Sequence, residues 1–595
     1  MKKRRIDWNE IVKNLSPYVI VKAIRYMKHY GGKKFIARLK DRYEEQEISY
    51  MEWFQDHRIS EEERKEQRKY IWKTPRVFSI VVPVYKTPIL FLQQMIDSVK
   101  EQTYPHWELC IVNASQEDKL LVQILEKYAK EDDRIRVISL KENKGIAENT
   151  NAGIRIARGE FVGFLDHDDI LEADALFEIA KSLERNEQID VIYTDEDKVS
   201  EDTKRYFRPN FKPDYNIDFL RTNNYICHFL MIRNTLLQSI GNIREGFEGA
   251  QDYDLILRSV EKARVVEHIA RVLYHWRVHK ESTADNPLSK EYAYLSGEKA
   301  ITQHLSRCNI KGSVKRTEDF GCYKVSYILS EEQKEKVSII IRYSGNEGYL
   351  KKCLESVKRN TKYVNYEIVI ALSEGQILTE AFVQKYQVET YHCQEMMKQG
   401  VIKNLGAAQT KGEYLLFLDD RFEILTPNWL ENLLGDCKRE NIAIVGAKAY
   451  FSDDTVIHAG YAVGEEGIHK LFYRLSRSRS GYFHKAELKQ ELSAVSDVCM
   501  MAERGSFEAI GGFDEEIEGI FAAPTVCLKI KEIQKRVLFT PEVELRCLEK
   551  KGIERLENGK DLSVFFKRFG GHKEMSDRYY NPNCSFIGKS YSLKV

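Results

Sequence analysis

The chain has 595 residues, more than one hydrophobic core usually serves, and this length predicts two or more domains. Its hydrophobic content of 43% and aromatic content of 11% are sufficient to bury a sizeable core. The formal net charge of +1 excludes a global basic or acidic field that would select the partner, and we expect no nucleic acid to bind.

The N-terminal segment is strongly basic. Met1–Lys40 holds twelve Lys and Arg against two acids, with apolar residues interleaved among them. This pattern is typical of a segment on an anionic membrane surface, and equally of a helical face packed on the domain behind it. We expect residues 1–75 to form a basic, charged helical extension.

Two further features bear on location. No apolar run approaches the ~18–20 residues of a membrane span, and the N-terminus lacks the apolar core of a signal peptide. The eleven cysteines are scattered singly, which is typical of reduced thiols. We therefore expect a cytoplasmic protein that lies peripherally at the inner face of the cell membrane.

Strands and helices alternate from residue 76 onward. The apolar run Val77–Tyr85 predicts a buried strand, and the amphipathic segment Ile89–Gln102 predicts a helix. The pattern continues with strands at Trp107–Val112, Arg134–Ser139 and Phe161–Leu165 and with helices around Leu120–Lys130 and at Ile146–Ala157. It predicts an open, mostly parallel α/β sheet, which binds ligands beyond the carboxyl ends of its strands.

The same pattern restarts at Val337. NLGAAQTKGEYLLFLDD (Asn404–Asp420) parallels NTNAGIRIARGEFVGFLDHDD (Asn149–Asp169). The period is too long for a solenoid, so we predict a duplicated domain, with copies at 76–330 and 336–550 and a tail at 551–595 that packs on them.

An acidic cluster ends the predicted strand Phe161–Leu165. In FLDHDD, Asp166 and Asp168 are spaced so that they can share one hard divalent cation such as Mg²⁺ or Mn²⁺. The alternative is that Asp168 or Asp169 caps a helix that begins near Leu171.

Two later segments could face the same cleft. In GFEGAQDYDLILR, a helical register places Asp252 at the start of a helix, where it could be a general base, a helix cap or both. In RVLYHWRVHKEST, strand alternation could put His275, Arg277 and His279 on one face, where histidine can ligate a metal and arginine can clamp a phosphate. Each histidine could equally be a hydrogen-bonded core residue.

Five motifs occur in order: VVPVY (Val81–Tyr85), FLDHDD, YTDEDK (Tyr193–Lys198), GFEGAQDYDL and HIARVLYHWRVHKEST. With them the chain resembles family 2 glycosyltransferases of the GT-A fold, and more narrowly the bacterial two-domain enzymes that build O-antigen-type and rhamnose-rich surface polysaccharides. The resemblance covers nearly all of Tyr50–Val595.

The resemblance implies a reaction and its residues. Asp252 would be the base of a single displacement with inversion. Mn²⁺ or Mg²⁺ would be held by Asp166, Asp168 and His275. The nucleotide-sugar would be bound by Pro83, Tyr85, Asn113, Gly145, Asp166 and Arg277. The donor-sugar and acceptor side would be formed by Asp195, Glu196, Asp197 and Trp276.

The first copy departs from the family pattern at one point. The second strand ends in IVNAS, with Asn113 where the family usually carries an acid. An amide offers both a donor and an acceptor to a base, so a UDP-sugar and a dTDP-sugar both stay open as the donor.

The second copy has lost most of this chemistry. Ala523 and Thr525 align with Asp252 and Asp254, and Arg421 takes the place of a third carboxylate beside Asp419 and Asp420. A cation there competes with a metal for the same acids. The second domain is therefore predicted to be a degenerate transferase.

The sequence thus predicts a metal-dependent inverting glycosyltransferase that moves a hexosyl or deoxyhexosyl group to a growing, lipid-linked cell-surface polysaccharide. We also expect that the chain can form a homodimer. The alternative is a non-catalytic scaffold that binds glycans or nucleotide-sugars in a polysaccharide assembly complex.

Overall fold

The structure of the protein is a computed structural model that describes residues 23–24, 27–28, 31–32, 35–40, 49–279, 291–329, 335–394, 397–549, 559–569 and 576–594. Of these, the residues in 49–215 and 220–325 form one compact unit, the first unit. Those in 23–40, 216–219 and 326–594 form another, the second unit. Most of the basic segment Met1–Lys40 lies outside the described residues, so its predicted membrane contact stays a prediction.

The first half of the described chain alternates strands and helices. Its strands are β1 (Phe78–Val84), β2 (Trp107–Asn113), β3 (Ile135–Ser139), β4 (Phe161–Phe164), β5 (Ile170–Leu171), β6 (Ile189–Ser200), β7 (Tyr206–Asn210), β8 (Leu230–Arg233), β9 (Val265–Val278), β10 (Gly312–Arg316) and β11 (Tyr323–Tyr327). Its helices are α1 (Tyr50–His57), α2 (Glu61–Arg68), α3 (Ile89–Lys100), α4 (Lys119–Glu131), α5 (Ile146–Ile156), α6 (Ala175–Arg185), α7 (Ile217–Leu220), α8 (Asn234–Ser239), α9 (Gln251–Val260) and α10 (Glu291–Arg307).

The main sheet of the first unit has the order β3-β2-β1-β4-β8-β6-β9-β5, with β7 beside β6. Strands β3, β2, β1 and β4 are parallel, and β6 is parallel to β9. Strand β8 runs antiparallel between β4 and β6. The predicted α/β fold with a parallel core is confirmed, and antiparallel strands extend it.

Strand β1 forms because an apolar run is buried on both of its faces. On one face it packs against α3 and α4, whose buried residues share a hydrophobic core with Ile80 and Val82. On the other face α5 approaches closely, because a Cβ at Gly153 would lie 2.4 Å from Val81 Cγ1. Any larger residue at Gly153 would push α5 away from the sheet.

The second half of the described chain repeats this alternation. Its strands are β12 (Val337–Arg342), β13 (Tyr366–Leu372), β14 (Glu389–His392), β15 (Tyr414–Asp419), β16 (Phe422–Ile424), β17 (Ile442–Tyr450), β18 (Val456–His458), β19 (Tyr461–Gly464), β20 (Gly467–Lys470), β21 (Gln490–Glu491), β22 (Cys499–Glu503) and β23 (Arg536–Cys547). Its α-helices are α11 (Glu347–Asn360), α12 (Glu380–Tyr386), α13 (Gln399–Ala408), α14 (Trp429–Cys437), α15 (Arg504–Ala509), α16 (Ala522–Glu532) and α17 (Gly559–Arg568).

The sheet of the second unit repeats that of the first, strand for strand, in the order β14-β13-β12-β15-β22-β17-β23-β16. The close helix approach is repeated as well: a Cβ at Gly406 on α13 would lie 2.6 Å from Ile340 Cγ2 on β12. The predicted domain duplication is confirmed.

Two local predictions can be compared with the structure. The described residues 49–75, which belong to the predicted extension 1–75, contain helices α1 and α2. The helix-cap interpretation of FLDHDD is wrong, because Ile170–Leu171 is a strand and the next helix begins at Ala175. None of the described helices combines the length and the apolar character that crossing a bilayer requires.

Candidate active site

The loop between β4 and β5 carries three aspartates with very different exposure. The side chain of Asp166 is 49% exposed, that of Asp168 is 17% exposed, and Asp169 is fully buried. The carboxylates are therefore graded from solvent toward the core.

Asp169 is a structural residue. It accepts hydrogen bonds from Tyr274 Oη and, at 2.8 Å, from the backbone N–H of Arg277. Burial, together with the charges of Asp168 and Asp166, raises the pKa of Asp169 well above its usual range. The contacts tie the loop to β9.

Asp168 pairs with His279, which follows the end of β9. His279 Nε2 lies 2.8 Å from Asp168 Oδ2. Burial alone would raise the pKa of Asp168, but the hydrogen bond from His279 and the charge of His167 lower it. A carboxylate and an imidazole held together at the carboxyl end of the sheet are a donor set that a divalent cation can use.

His275 does not reach this cluster, which contradicts its prediction as a metal ligand. Both ring nitrogens are occupied by carboxylates: Nδ1 lies 2.5 Å from Asp197 Oδ1, and Nε2 lies 2.9 Å from Glu172 Oε1. Burial alone would lower its pKa, but these two charges raise it to about 9. A protonated imidazole has no lone pair for a metal.

Arg277 is also internal, which contradicts its prediction as a phosphate clamp. Its Nε donates to the Asp168 carbonyl at 2.6 Å and its Nη1 to the Glu201 carbonyl at 2.8 Å. The guanidinium also lies over the Phe91 ring at 4.5 Å, and the side chain is fully buried. Arg277 therefore braces the aspartate loop from behind.

Asp252 lies in the first turn of α9, as its helical register predicted. Asn224 Nδ2 donates to Asp252 Oδ2 at 2.7 Å, and Cys227 Sγ lies 3.9 Å from the same oxygen. Burial raises its pKa, and the His228 charge opposes that shift while the Asp166 charge adds to it. Cys227 is followed by His228, whose Nε2 lies 3.7 Å from Asp166 Oδ2, so Asp252 lies near the same cleft as Asp166.

His228 and Asn224 were not predicted. His228 Nε2 lies 3.7 Å from Asp166 Oδ2, and its ring stacks on Tyr274 at 4.7 Å. Both residues fall in NNYICHF, a stretch between helix α7 and strand β8. The only sign of them in the sequence was that these two polar residues stand just before a buried strand, β8. That strand pairs with β4, which leads into the acidic loop.

The acidic motif of β6 points mostly into the fold. Asp195 accepts from His268 at 2.9 Å, and Asp197 accepts from the Tyr50 hydroxyl at 2.6 Å and contacts His275. Glu196 accepts from Lys212 Nζ at 3.1 Å. The three carboxylates are buried, and their predicted position on the sugar side of the cleft stays a prediction.

Trp276 lies on the opposite face of β9 from His275, the partner of Asp197. Its ring meets His228 edge-on at 5.8 Å, and Lys198 Nζ lies 4.6 Å from its centroid. Trp276 is therefore beside the cleft, on the side that holds His228, and its role as a sugar contact stays a prediction.

The predicted nucleotide residues lie at the carboxyl ends of β1 and β2 and at the start of α5. Pro83 is buried within β1, and Tyr85, just beyond that strand, is 39% exposed. Asn113 Oδ1 accepts from the Ser115 N–H at 2.8 Å, whereas its buried Nδ2 has no partner. Gly145 adopts a φ of 89° at the N-terminus of α5, a conformation that favours glycine.

The equivalent aspartates of the second unit are neutralised internally. Asp419 pairs with Arg421 at 2.6 Å, and Asp420 Oδ2 accepts from the Ser344 N–H at 2.8 Å. Ala523 and Thr525 are buried in α16, and the Thr525 hydroxyl donates to the Phe521 carbonyl. No residue on α16 occupies the place of Asp252 with a carboxylate.

Comparison with known proteins identifies the family. The family model described as glycosyl transferase family 2 matches residues 79–241 and 338–511. The chain belongs to this family. Each match covers most strands of one of the two sheets, so the resemblance found in the sequence and the tandem layout are both confirmed.

Two curated relatives of this family 2 glycosyltransferase align along most of it. The uncharacterized protein y4gI of Sinorhizobium fredii is 33% identical over 87% of this chain and 58% of its own length. The O-antigen biosynthesis protein RfbC of Myxococcus xanthus is 30% identical over 87% of this chain and 41% of its own length. The chain spans about half the length of these relatives.

Among solved structures, one similar chain is residues 1–349 of TarS from S. aureus in complex with UDP-GlcNAc. The two chains are 21% identical, the alignment covers 38% of this chain and 66% of the TarS chain, and the TM-score is 0.33.

Proposed function

We propose that the first unit is a metal-dependent inverting glycosyltransferase. It moves a hexosyl or deoxyhexosyl group from a UDP- or dTDP-sugar to a growing cell-surface polysaccharide. The observation that carries the proposal is the cleft at the carboxyl end of the sheet, where Asp168 pairs with His279 and Asn224 holds the carboxylate of Asp252.

The donor atoms of this cleft fit Mn²⁺ or Mg²⁺. Asp168 and His279 would hold the ion, with the more exposed Asp166 beside them. When bound, a divalent ion stabilises the negative charge of a leaving diphosphate. His279 takes the place of His275 in this assignment, because both ring nitrogens of His275 are held by Asp197 and Glu172, whereas the partner of His279 Nε2 is Asp168, a member of the same donor set.

Asp252 is the proposed general base. Its raised pKa makes the carboxylate a better proton acceptor than an exposed aspartate. Asn224 holds one of its oxygens at 2.7 Å and so orients the other. Proton removal from the acceptor hydroxyl by one carboxylate is sufficient for a single displacement with inversion, and no enzyme nucleophile is required.

The acceptor is proposed to be a lipid-linked saccharide. The basic segment Met1–Lys40 supports a position at an anionic membrane surface. One relative is named for O-antigen biosynthesis, which supports a polysaccharide product. The alternative is a non-catalytic scaffold, which would not require Asn224 to orient the partly desolvated carboxylate of Asp252.

A donor screen tests the proposal. The full chain is incubated with UDP- and dTDP-sugars and Mn²⁺ or Mg²⁺, and nucleoside diphosphate release is measured with and without EDTA. Metal-dependent release with at least one donor is expected. Two variants check that the release is catalytic. Asp252→Asn should abolish it, and Asp133→Asn, an exposed control in the same unit, should leave it unchanged. Absence of release with every donor favours the scaffold.

A further inference from the structure

His228 lies beside Asp166 and near Asp252, two carboxylates of the proposed active site. Its Nε2 is 3.7 Å from Asp166 Oδ2, and the Sγ of the preceding Cys227 is 3.9 Å from Asp252 Oδ2. The His228 side chain is only 13% exposed. The imidazole is therefore a nearly buried polar group in the reacting part of the cleft.

The backbone around His228 is held from both sides. Its N–H donates to Glu196 Oε2 at 3.3 Å, and its carbonyl accepts from Lys212 Nζ. Lys212 is fully buried and also pairs with Glu196. The preceding Cys227 has a φ of 36°, a conformation that non-glycine residues rarely adopt and that is found at ligand sites.

The ring itself is fixed by aromatic neighbours. It stacks on Tyr274 at an interplanar angle of 10° and meets Trp276 edge-on. Tyr274 is in turn anchored through its hydroxyl to Asp169. The imidazole is thus pre-oriented, with Nε2 directed toward Asp166.

The separation between His228 and Asp166 is informative. At 3.7 Å it exceeds the 2.7–3.2 Å of an N–H···O hydrogen bond. One hydroxyl can span such a gap, because it donates to a carboxylate while it accepts from an imidazole N–H. Asp169, which is also near, already accepts hydrogen bonds from Tyr274 and Arg277, so His228 and Asp166 are the two groups here with more capacity for a new partner.

We propose that His228 and Asp166 together bind a hydroxyl of the transferred sugar, so that His228 is a donor-specificity residue. This inference rests on the proposed transferase function. The sugar is favoured over the ribose because Cys227, the residue before His228, lies 3.9 Å from Asp252, the proposed base, so that His228 lies on the reacting side of the donor.

Paired binding measurements test this role. Calorimetry with Mn²⁺ compares UDP with UDP-glucose and UDP-N-acetylglucosamine, and dTDP with dTDP-rhamnose, on wild type, His228→Leu and His228→Gln. In His228→Leu, the Kd of the sugar nucleotide is expected to rise about 3- to 10-fold and that of the nucleoside diphosphate to stay unchanged. His228→Gln, which keeps an N–H near Nε2, should recover most of the affinity.

The other outcomes are distinct. Equal weakening of diphosphate and sugar nucleotide, or no change in either, overturns the inference. If the wild-type protein binds none of these nucleotides, the proposed function is overturned, and the inference with it. His106→Leu, an exposed histidine of the same unit, is the matched control, and thermal melting of each variant reports folding.

Discussion

At the residue scale, the active-site histidines have different roles that strand alternation does not reveal. His275 and His279 are four residues apart near one strand, yet His275 lies between Asp197 and Glu172 while His279 meets Asp168. Which imidazole is available to a metal is decided by the partners that the fold supplies.

Replacing each histidine in turn checks this distinction. His279→Gln should raise the Mn²⁺ concentration for half-maximal activity by about 10-fold or more, because a ligand is lost. His275→Gln should leave that concentration unchanged and lower the melting temperature. Metal titration of nucleotide release and a melting curve separate the two, and the reverse pattern would restore His275 as the ligand.

The buried His275 also predicts a pH dependence of stability. Folding raises its pKa from 6.5 to about 9, so the folded state binds the proton more tightly. The stabilisation is complete below about pH 6.5 and is lost as the pH rises through about 9. Wild type should lose more melting temperature than His275→Gln between pH 6.5 and 9.5; parallel curves for the two proteins would contradict the assignment.

At the element scale, helix α1 is part of the first unit although it precedes the sheet by twenty residues. Tyr50 donates to Asp197, and the Phe54 ring lies 4.8 Å from Tyr206 and 5.3 Å from His275. Arg58, just after α1, pairs with Glu172 at 2.6 Å. The helix therefore covers the charged cluster beneath the aspartate loop.

Truncating the buried face of α1 tests this covering role. Phe54 is 3% exposed, and Phe54→Ala should destabilise the first unit by about 3–5 kcal/mol. Gln55→Ala, at an exposed position of the same helix, should change stability by less than about 0.5 kcal/mol. Urea unfolding measures both, and equal effects would mean that α1 is only a surface helix.

At the scale of the whole molecule, one fold occurs twice but its chemistry is retained once. The two sheets share their strand order, while the carboxylates of the second unit are occupied by Arg421 and Ser344. In addition, a buried ion pair between Lys403 and Asp497 lies just before β22, the strand that corresponds to β8. We propose that the second domain is catalytically inactive.

Isosteric substitutions compare the two domains directly. Asp252→Asn should abolish transfer. Asp420→Asn should leave the rate within about twofold of wild type. The substitution lies in the other unit, and asparagine has nearly the same shape as aspartate. Burial raises the pKa of Asp420 to about 6, so removing its charge should not lower the melting temperature at pH 8. Loss of transfer in folded Asp420→Asn would show that the second domain participates.

Much of this protein could be predicted from its sequence because the signals were local. Apolar runs and helical periodicity identified β1, α3 and α9, and their repetition identified the duplication. Asp166, Asp168 and Asp252 were recognisable since each lies at the end of a strand or the start of a helix. Both features follow from neighbouring residues along the chain.

Only the tertiary structure decided which polar groups are free. Strand alternation places His275 and Arg277 equally well inside or outside, and their burial depends on Glu172 and Glu201, which lie about 75 or more positions away along the chain. His228 acquires its place because β8 lies beside β4 in the sheet. A buried charge requires a partner, and long-range packing decides which residue that partner is. These pairings determine which polar groups belong to the candidate site and which only support it.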